Sequence, residues 1–348
     1  MALKGAIIGF GHIAANGHVP AYKACKDVEI CAVCDSCLDR KALNQRLLSG
    51  SRFYTSAEEL LEKEAIDFVD VSTPPAMHAK FIKEALSRNK HVLCEKPLVL
   101  SSSELVEIQG LVKDSGCCVV TVHNWRYSPI MQEISKIVES GILGKIRKVK
   151  YDVLRVQPSV AVGDSDNGNN WRLDPSVAGG GILVDHGWHA FYLVNDWIGH
   201  KPYAVECRLE NRKFTNMPVE DTAEVTFFYP SGVQADLFFT WAGRERNNTI
   251  VVKGEQGELS CLDDRIIVEA GPDSYNVRFD QGLSKGSHHP EWYSGVLREF
   301  INEINDPAHF GKNFKEAASC LTMLEGCKRA HETQKRAVLD SDGNGSPV

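Results

Sequence analysis

The chain has 348 residues, with 39 basic and 46 acidic side chains and no long basic run. At roughly 150 residues per domain this length predicts two domains, and the mildly acidic balance argues against nucleic acid as a partner. The sequence contains no apolar stretch long enough to span a membrane, and its N-terminal apolar run is too short for a signal peptide, so we expect a soluble cytoplasmic protein.

Residues 1–122 alternate short apolar runs with amphipathic periods. The runs predict strands over residues 4–8, 28–34, 68–72, 91–94 and 117–122. The periods predict helices over residues 39–48, 57–63, 76–88 and 103–114, two of which follow serines that can cap them. Apolar strands that alternate with helices are typical of a parallel sheet covered on both faces. This part of the chain is therefore predicted to be a doubly wound α/β domain.

The first strand leads into a glycine turn of the G-x-G-x-x-A pattern, Gly9-Phe10-Gly11-His12-Ile13-Ala14. Such glycines allow a tight turn and let backbone amides approach a pyrophosphate at a helix N-terminus. Asp35 ends the second strand 21 residues after Ala14, where a carboxylate accepts hydrogen bonds from an adenosine ribose and repels a 2′-phosphate. The turn and Asp35 predict a dinucleotide site that favours NAD over NADP. The alternative for Asp35 is that it caps the following helix.

The eleven cysteines indicate reduced thiols and no metal site. Cys31, Cys34 and Cys37 have the spacing C-x-x-C-x-x-C, which resembles metal ligation. However, residues 28–34 are predicted to form a strand, so Cys31 and Cys34 would project from opposite faces. No fourth cysteine at the expected spacing completes a ligand set.

Lys96 follows the apolar run of residues 91–94, between Glu95 and Pro97. Burial disfavours the ammonium form of a lysine, so a lysine at the end of a buried strand can exchange protons near neutral pH. If the strand belongs to an open parallel sheet, its carboxyl end lies at the ligand crevice. The alternative is a strand-to-helix turn whose lysine points into water.

From residue 145 onward, alternating strands replace the strand-and-helix pattern. After a loop and a helix over residues 130–140, strands are predicted over residues 146–155, 204–209, 223–228, 233–241, 248–253, 257–261, 265–269 and 274–279. Helices starting at residue 289 or 290 and at 314, and ending near 302 and 335, return to cover one face or the domain junction. Residues 123–335 are thus predicted to form an α+β domain with a largely antiparallel sheet that carries helices on one face. Residues 336–348 are predicted to be a polar tail.

The glycine-rich stretch 179–189 carries a second set of candidate residues. If the chain is helical from Gly181, Asp185 and His189 share one face, and the carboxylate can orient the imidazole and stabilise its cation. His189 is then a candidate acid or base, the alternative being a histidine satisfied within the core. His186 is a second candidate, but its position next to Asp185 predicts a different face. The three glycines predict a close approach of the backbone to another group.

Six motifs in a fixed order resemble those of one known family. They are the G-x-G-x-x-A turn, Ser72-Thr73-Pro74-Pro75 with His78, Glu95-Lys96-Pro97, Asn124-Trp125-Arg126-Tyr127, Trp171-Arg172, and the Gly-Gly-Gly-x-x-x-Asp-x-x-x-His series that ends at His189. On these motifs, over about residues 1–335, the chain is identified as a member of the glucose-fructose oxidoreductase, inositol dehydrogenase and rhizopine-catabolism (Gfo/Idh/MocA) family of NAD(P)-dependent oxidoreductases. The resemblance implies an N-terminal Rossmann domain and a C-terminal domain for substrate binding and oligomerisation.

The resemblance also implies roles for individual residues. Thr73 and Pro74 would border the nicotinamide, Glu95 would contact its ribose, and the peptide bond before Pro97 is often cis in this family. The catalytic group would be Lys96, Asp185 and His189, with Lys96 or His189 removing the hydroxyl proton. Further residues implied around the cofactor are Ser72, His78, Lys96, Asn124 and Arg126. Those implied around the substrate are Arg126, Trp171 and Arg172 together with the catalytic group.

Chemistry and resemblance agree on alcohol oxidation, which needs one proton acceptor and one hydride acceptor. The expected substrate is a sugar, cyclitol or glycoside, and the expected cofactor is NAD rather than NADP. One alternative is an NAD-dependent glycosidase that oxidises its substrate transiently and cleaves it by elimination without net NADH. The other is a non-catalytic NAD-binding sensor, against which the joint presence of Lys96, Asp185 and His189 argues.

Two loops and one sheet face complete the expectations from sequence. Residues 157–170, rich in Asp, Asn, Gly and Ser, are a candidate lid or substrate loop, with a surface excursion as the equal alternative. Residues 287–293 either add substrate contacts or start a helix with an aromatic core anchor. The second sheet has more surface than its own helices can cover, so we expect a homodimer or homotetramer formed through its open face.

Overall fold

The computed structural model describes residues 2–159, 170–286 and 288–339. Their contacts divide them into two compact units. The N-terminal unit comprises residues 2–124 and 288–318, and the sheet unit comprises residues 125–159, 170–286 and 319–339. The predicted domains comprise residues 1–122 and 123–335, whereas the contacts group residues 288–318 with the N-terminal unit.

The N-terminal unit alternates strands and helices along the chain. Its elements are β1 (Leu3–Ile8), a π-helical turn (Ala14–His18), α1 (Val19–Ala24), β2 (Val28–Cys34), α2 (Arg40–Leu47), β3 (Arg52–Tyr54), α3 (Ala57–Lys63), β4 (Phe68–Val71), a 3₁₀ turn (Pro75–Met77), α4 (His78–Leu86), β5 (His91–Cys94), α5 (Ser102–Ser115) and β6 (Val119–Thr121). Ser56 and Ser101 cap α3 and α5 as predicted, each accepting a hydrogen bond from the backbone three residues on.

Six strands of the N-terminal unit form a parallel sheet in the order β3-β2-β1-β4-β5-β6. This confirms the doubly wound Rossmann architecture. The strand order reverses between β1 and β4, and in such sheets ligands bind outside the carboxyl ends of the strands at that point. Every residue of β4 is buried, as expected for a strand covered on both faces. The short strand β3 was not predicted from the sequence.

The sheet unit continues from a 3₁₀ turn at Asn124–Tyr127, which spans the unit boundary. Its elements are α6 (Pro129–Glu139), β7 (Ile146–Leu154), α7 (Pro175–Ala178), a π-helical turn (Leu183–Gly187), α8 (Trp188–Ile198), β8 (Ala204–Glu210), β9 (Thr222–Phe228), β10 (Gln234–Thr240), β11 (Asn247–Gly254), β12 (Glu258–Leu262), β13 (Arg265–Glu269) and β14 (Tyr275–Arg278). In chain order there follow α9 (Pro290–Asn305) of the N-terminal unit and α10 (Lys312–Thr333), which begins there and ends in the sheet unit. The last element is β15 (Ala337–Val338), which pairs with β8, so the prediction that a polar tail begins at residue 336 is wrong.

The second sheet has nine strands in the order β14-β13-β12-β11-β7-β10-β9-β8-β15. All neighbouring pairs are antiparallel except β7 and β10, which are parallel, so the sheet is mixed and largely antiparallel as predicted. Strand β10 buries Ala235, Leu237 and Phe239 and leaves Asp236 and Phe238 partly exposed. Helix α8 packs on the buried face, where the rings of Phe191 and Phe227 meet edge to face at 5.2 Å.

The chain from Gly181 is not one α-helix, which corrects the sequence prediction. Residues Leu183–Gly187 form a π-helical turn, and α8 starts only at Trp188. A second π-helical turn, Ala14–His18, follows the glycine turn. Such turns are rare and are frequently found at functional sites. No helix in the described part of the chain is both long and apolar enough to cross a membrane.

Candidate active site

The glycine turn lies at the point where the parallel sheet reverses its strand order. Gly9 has φ +92°, and a Cβ there would lie 2.8 Å from the carbonyl carbon of Ser72 and from the backbone nitrogen of Thr73. Glycine is therefore required at position 9 both by its conformation and by the close approach of the chain that follows β4. At Gly11, by contrast, an added Cβ would meet no atom within 4 Å. The turn thus leaves open space where a phosphate can approach the backbone.

Asp35 holds the glycine turn rather than a helix. Its Oδ2 accepts a hydrogen bond from the backbone N–H of Phe10 at 2.7 Å, and its Oδ1 accepts one from Cys37 at 2.8 Å. Helix α2 begins at Arg40 after Asp39, so Asp35 does not cap it and the alternative from sequence is wrong. Each carboxylate oxygen keeps a second lone pair that can accept from a ribose hydroxyl.

Thr73 and His78, which follow β4, and Asn124, which follows β6, place polar groups in the interior of the N-terminal unit. The hydroxyl of Thr73 is buried and has no hydrogen-bond partner among the described residues, and the same holds for Oδ1 of Asn124. Buried polar atoms without partners are rare, and a bound ligand is a common explanation. The ring nitrogens of His78 lie 2.8 Å from the backbone oxygens of Thr73 and Pro97. Burial lowers the pKa of His78 despite these two carbonyls. The ring lies between the segments after β4 and β5, and as a neutral imidazole it can donate to only one of the two oxygens.

Glu95 and Lys96 follow directly on β5, and the Lys96–Pro97 peptide bond is cis. The Glu95 side chain lies 3.0 Å from Nε2 of His18 through Oε1 and accepts from the backbone N–H of Lys96 at 3.1 Å through Oε2. Burial opposes the charged carboxylate, but the bond from His18 and the charges of His18 and Lys96 outweigh it and lower the pKa of Glu95. Glu95 is therefore an ionised, oriented acceptor at the carboxyl end of β5.

His18 and Asp70 were missed by the sequence analysis. His18 ends the π-helical turn after the glycines, and its Nδ1 lies 2.8 Å from Oδ2 of Asp70 on β4. Burial alone would lower the pKa of His18, but the carboxylates of Asp70 and Glu95 raise it to about 9. One signal was available in the sequence: an aspartate inside the otherwise apolar run Phe68-Val69-Asp70-Val71 needs a buried partner.

His18 makes the stability of the fold depend on pH. Its pKa rises from 6.5 to about 9 on folding, so between these values the folded chain holds a proton that the unfolded chain has released, and stability falls as pH rises. The stabilisation that comes from protonated His18 is fully present below pH 6.5 and is lost as pH rises through about 9. Because a tenfold change in proton affinity is worth about 1.4 kcal/mol, we expect the wild type to lose up to about 3 kcal/mol relative to His18→Gln between about pH 6 and pH 9.5.

Urea unfolding of both proteins at several pH values measures this difference. The free-energy gap between wild type and His18→Gln should narrow steadily across the window. Parallel curves would contradict the expected linkage, because they would mean that His18 gains no proton affinity on folding.

The sheet unit holds the second predicted group, on the π-helical turn and α8. His189 is 7% exposed; its Nδ1 lies 3.1 Å from the Tyr192 hydroxyl, and its ring stacks with Trp125 at 5.4 Å. The Asp185 carboxylate lies 3.1 Å from Nδ1 of His186, so the prediction that these neighbours face apart is wrong. The α-helical spacing used to pair Asp185 with His189 does not apply, because Asp185 lies in the π-helical turn. Their joint role stays a prediction.

Gly181, the last of the three glycines before Asp185, closely approaches another part of the same chain. A Cβ at Gly181 would lie 2.0 Å from the backbone oxygen of Glu220. The Glu220 carboxylate accepts from the backbone of Gly181 at 2.9 Å and of Leu183 at 3.1 Å. Burial raises the pKa of Glu220 in spite of these bonds. The close approach predicted from the glycines is therefore to Glu220, which positions the start of the π-helical turn.

Three further predicted residues of the sheet unit, Arg126, Trp171 and Arg172, make contacts through their side chains. Arg126 donates to Oδ2 of Asp196 from Nη2 at 2.6 Å, and its guanidinium lies over the Tyr192 ring at 5.2 Å. Arg172 lies over the ring of Trp171 at 4.3 Å, and its buried Nη1 has no hydrogen-bond partner in the described part of the sheet unit. Residues 160–169, the main part of the candidate lid, lie outside the described residues.

The N-terminal unit fits a dinucleotide by its own features. The open turn at Gly11, the oriented carboxylates of Asp35 and Glu95, and the unpartnered hydroxyl of Thr73 supply the donors and acceptors that a pyrophosphate, two riboses and an amide need. Across residues 2–159, 170–286 and 288–339, no group of three or more His, Cys, Asp or Glu side chains is placed to hold a metal ion.

Comparison with protein families agrees with this architecture. Residues 3–123 match the model described as "Oxidoreductase family, NAD-binding Rossmann fold". Residues 131–260 match the "GFO/IDH/MocA C-terminal domain". The two matched segments follow one another along the chain and together cover most of it.

Individual relatives are similar at modest identity. Oxidoreductase P35 of Formosa agariphila is 25% identical over 254 residues, which cover 73% of this chain and 77% of that protein. D-apiose dehydrogenase of Paraburkholderia graminis is 27% identical over 267 residues, covering 74% of this chain and 66% of that protein. Among solved structures, a levoglucosan dehydrogenase in complex with NADH superposes with a TM-score of 0.83 at 19% identity, over 98% of this chain and 100% of that one. At that identity the superposition shows a shared fold.

Proposed function

Because the chain belongs to the Gfo/Idh/MocA family of oxidoreductases, we propose that it transfers a hydride between a nicotinamide cofactor and a carbinol carbon of a sugar, cyclitol or glycoside. The observation that carries the proposal is the position of Glu95 and Lys96 at the carboxyl end of β5. This strand lies two places from β1, which ends in the glycine turn, in the same parallel sheet. The proposed acid-base residue Lys96 and the proposed phosphate-binding turn therefore lie at the same edge of the sheet, where the strands end.

The cofactor side of the proposal rests on the N-terminal unit. Backbone amides around Gly11 would hold the pyrophosphate, and Asp35 would accept from the adenosine ribose and so favour NAD over NADP. Glu95 would accept from the nicotinamide ribose, and the free hydroxyl of Thr73 would border the nicotinamide. When bound, the nicotinamide accepts or donates the hydride. The proposed cofactor residues are completed by Arg126 of the sheet unit and by further residues of the N-terminal unit, which are Gly9, Phe10, His12, Ile13, Ser72, Pro74, His78, Lys96 and Asn124.

The proton side of the proposal uses Lys96, Asp185 and His189. A lysine can take the hydroxyl proton or stabilise the developing alkoxide with its charge. The His189 imidazole, oriented by the Tyr192 hydroxyl and the Trp125 ring, can accept or relay the same proton. Arg126, Trp171 and Arg172 would contact substrate hydroxyls; the buried, unpartnered Nη1 of Arg172 is a donor available for that contact.

The name of one relative points to a sugar as substrate. The Paraburkholderia protein is named D-apiose dehydrogenase, and D-apiose is a sugar. Among the sugars, cyclitols and glycosides proposed above, we therefore place free sugars first.

A substrate screen with NAD tests the function directly. The protein is incubated with NAD and sugars, cyclitols and aryl glycosides while the absorbance of NADH and the release of aglycone are followed. A dehydrogenase produces NADH with at least one polyol. Aglycone release without net NADH would replace the proposal with transient-oxidation glycosidase chemistry, and NAD binding without turnover of any compound would indicate a sensor.

We further propose that subunits associate through the partly exposed face of the nine-stranded sheet. Phe238 lies on this face, with the Arg212 guanidinium over its ring at 5.7 Å. In a dimer or tetramer, Phe238→Asp places a charge in the interface and should yield monomers in light-scattering chromatography. Leu38→Asp is the matched control, because Leu38 is 67% exposed in the N-terminal unit. A monomeric wild type would contradict the proposal.

A further inference from the structure

His18 bridges two strand ends of the N-terminal unit through both of its ring nitrogens. Nδ1 lies 2.8 Å from the carboxylate of Asp70 on β4, and Nε2 lies 3.0 Å from that of Glu95 after β5. An imidazole that faces a carboxylate on each side donates two hydrogen bonds and is therefore the cation. The raised pKa of His18, about 9, agrees with this protonation state.

Asp70, at one end of this bridge, accepts hydrogen bonds from several residues. Asp70 accepts from Ser72 at 3.0 Å and from the hydroxyl of Tyr22 at 3.0 Å, with the hydroxyl of Tyr293 at 3.4 Å. The ring of Tyr293 on α9 also stacks on the imidazole, with centroids 4.0 Å apart and planes 16° from parallel. Asp70 is 0% and His18 1% exposed. The imidazole therefore has one well-defined position.

At the other end of the bridge, His18 fixes the position of Glu95, a residue of the candidate site. Glu95 is bound by His18 through Oε1 and by the backbone N–H of Lys96 through Oε2, so the plane of its carboxylate is set. Each oxygen can still accept one further hydrogen bond, as recognition of two neighbouring ribose hydroxyls requires.

We propose that His18 is a positioning residue for the cofactor: held by Asp70, it fixes the Glu95 carboxylate in the orientation that binds the nicotinamide ribose. The proposal rests on the function proposed above, in which Glu95 contacts that ribose. The Glu95 carboxylate also accepts a hydrogen bond from the backbone N–H of Lys96, so the same bridge helps to fix the backbone position of Lys96. Positioning through a second group is a common way in which a binding site is kept rigid.

The test compares binding of NAD with binding of ADP, which lacks the nicotinamide riboside. His18→Gln should weaken NAD about tenfold, the value of one well-placed hydrogen bond, and should leave ADP within about twofold. Affinities are measured by quenching of tryptophan fluorescence. His91→Gln is the matched control: His91 is a partly buried histidine at the opposite end of β5, where it accepts from the backbone of Cys118. It should change neither affinity.

Measuring NAD affinity as a function of pH distinguishes a positioning role of His18 from a purely structural one. The NAD affinity of the wild type should fall as pH rises through about 9, where His18 loses its proton, and that of His18→Gln should not. The other titratable groups facing His18 are Asp70, Glu95, Tyr22 and Tyr293; burial and the Asp70 charge raise the pKa of both tyrosines further above this range.

The outcomes separate this inference from the proposed function. The inference is overturned if His18→Gln loses affinity for NAD and ADP equally, or if it loses affinity for neither. Glu95→Gln tests the ribose contact itself: selective loss of NAD there, without loss in His18→Gln, leaves the proposed function standing and removes the role of His18. If Glu95→Gln keeps the wild-type affinity for NAD, Glu95 does not bind the ribose and the proposed role of His18 is overturned, while hydride transfer is still tested by the substrate screen. If His18→Gln does not fold, Asp70→Asn, which keeps the shape and one acceptor, should show the same selective loss, and its absence overturns the inference.

Discussion

Replacing Lys96 by alanine is expected to lower turnover about a thousandfold while NAD affinity changes less than about threefold. The reason is that Lys96 would act on the reacting hydroxyl, as proton acceptor or as a charge beside the alkoxide, whereas Asp35 and the turn at Gly11 would hold the cofactor. Turnover is measured at saturating sugar and NAD, and affinity by fluorescence titration. Equal loss of both would mean that Lys96 is only a binding residue.

Lys90→Ala is the control for this experiment. Lys90 immediately precedes β5, at the opposite end of the strand that Lys96 follows. The substitution removes a lysine charge at the other end of β5, away from the proposed site, so turnover should stay within about twofold of the wild type.

Two further variants assign the proton transfer. Lys96→Arg keeps the positive charge but cannot give up a proton in the accessible pH range. Near-wild-type turnover in this variant, with a large loss in His189→Gln, would make His189 the base and Lys96 an electrostatic partner. A loss in Lys96→Arg as large as in Lys96→Ala would make Lys96 the base.

Asp35→Asn is expected to reduce the preference for NAD over NADP by at least about tenfold. The substitution removes the charge that repels a 2′-phosphate and one of two strong acceptors for the ribose. It retains an amide oxygen that can still accept from Phe10 or Cys37, so the glycine turn keeps part of its support. The dissociation constants of NAD and NADP are measured for both proteins, and their ratio is the result.

The control for Asp35→Asn is Asp39→Asn at the exposed start of α2, which makes the same change of charge four residues on. It should leave the ratio of the two constants unchanged. The predicted role of Asp35 is wrong if the wild type binds NADP as tightly as NAD, or if Asp35→Asn weakens both to the same degree.

The secondary structure could be predicted in large part because its signals are local. Strands β2 and β5 and helix α3 have the predicted bounds, since a short apolar run or a capped amphipathic period is visible in neighbouring residues. The three-residue strand β3 escaped because its side chains are only partly buried and show no clear alternation. The parallel pairing of β10 with β7 was also not visible, because which strands pair depends on residues that are distant in sequence.

The candidate site could be predicted only for residues that belong to a local motif. The glycine turn, Asp35 and Glu95-Lys96-Pro97 follow from spacing and strand ends. The pairing of Asp185 with His189 assumed an α-helix, and the π-helical turn at Leu183–Gly187 changes that geometry. The glycines near 181 serve the approach of Glu220, which lies 39 residues on.

The amino-acid sequence by itself determined the family, the doubly wound N-terminal domain and the dinucleotide turn, because each depends on contiguous residues whose periodicity or conformational freedom has one physical interpretation. Only the tertiary structure decided what surrounds the strand ends. The bridge from Asp70 through His18 to Glu95 joins residues up to 77 positions apart. Such a bridge depends on burial and direction in space: a histidine and two carboxylates become one buried charged group only when the strands and the π-helical turn bring them within hydrogen-bond distance.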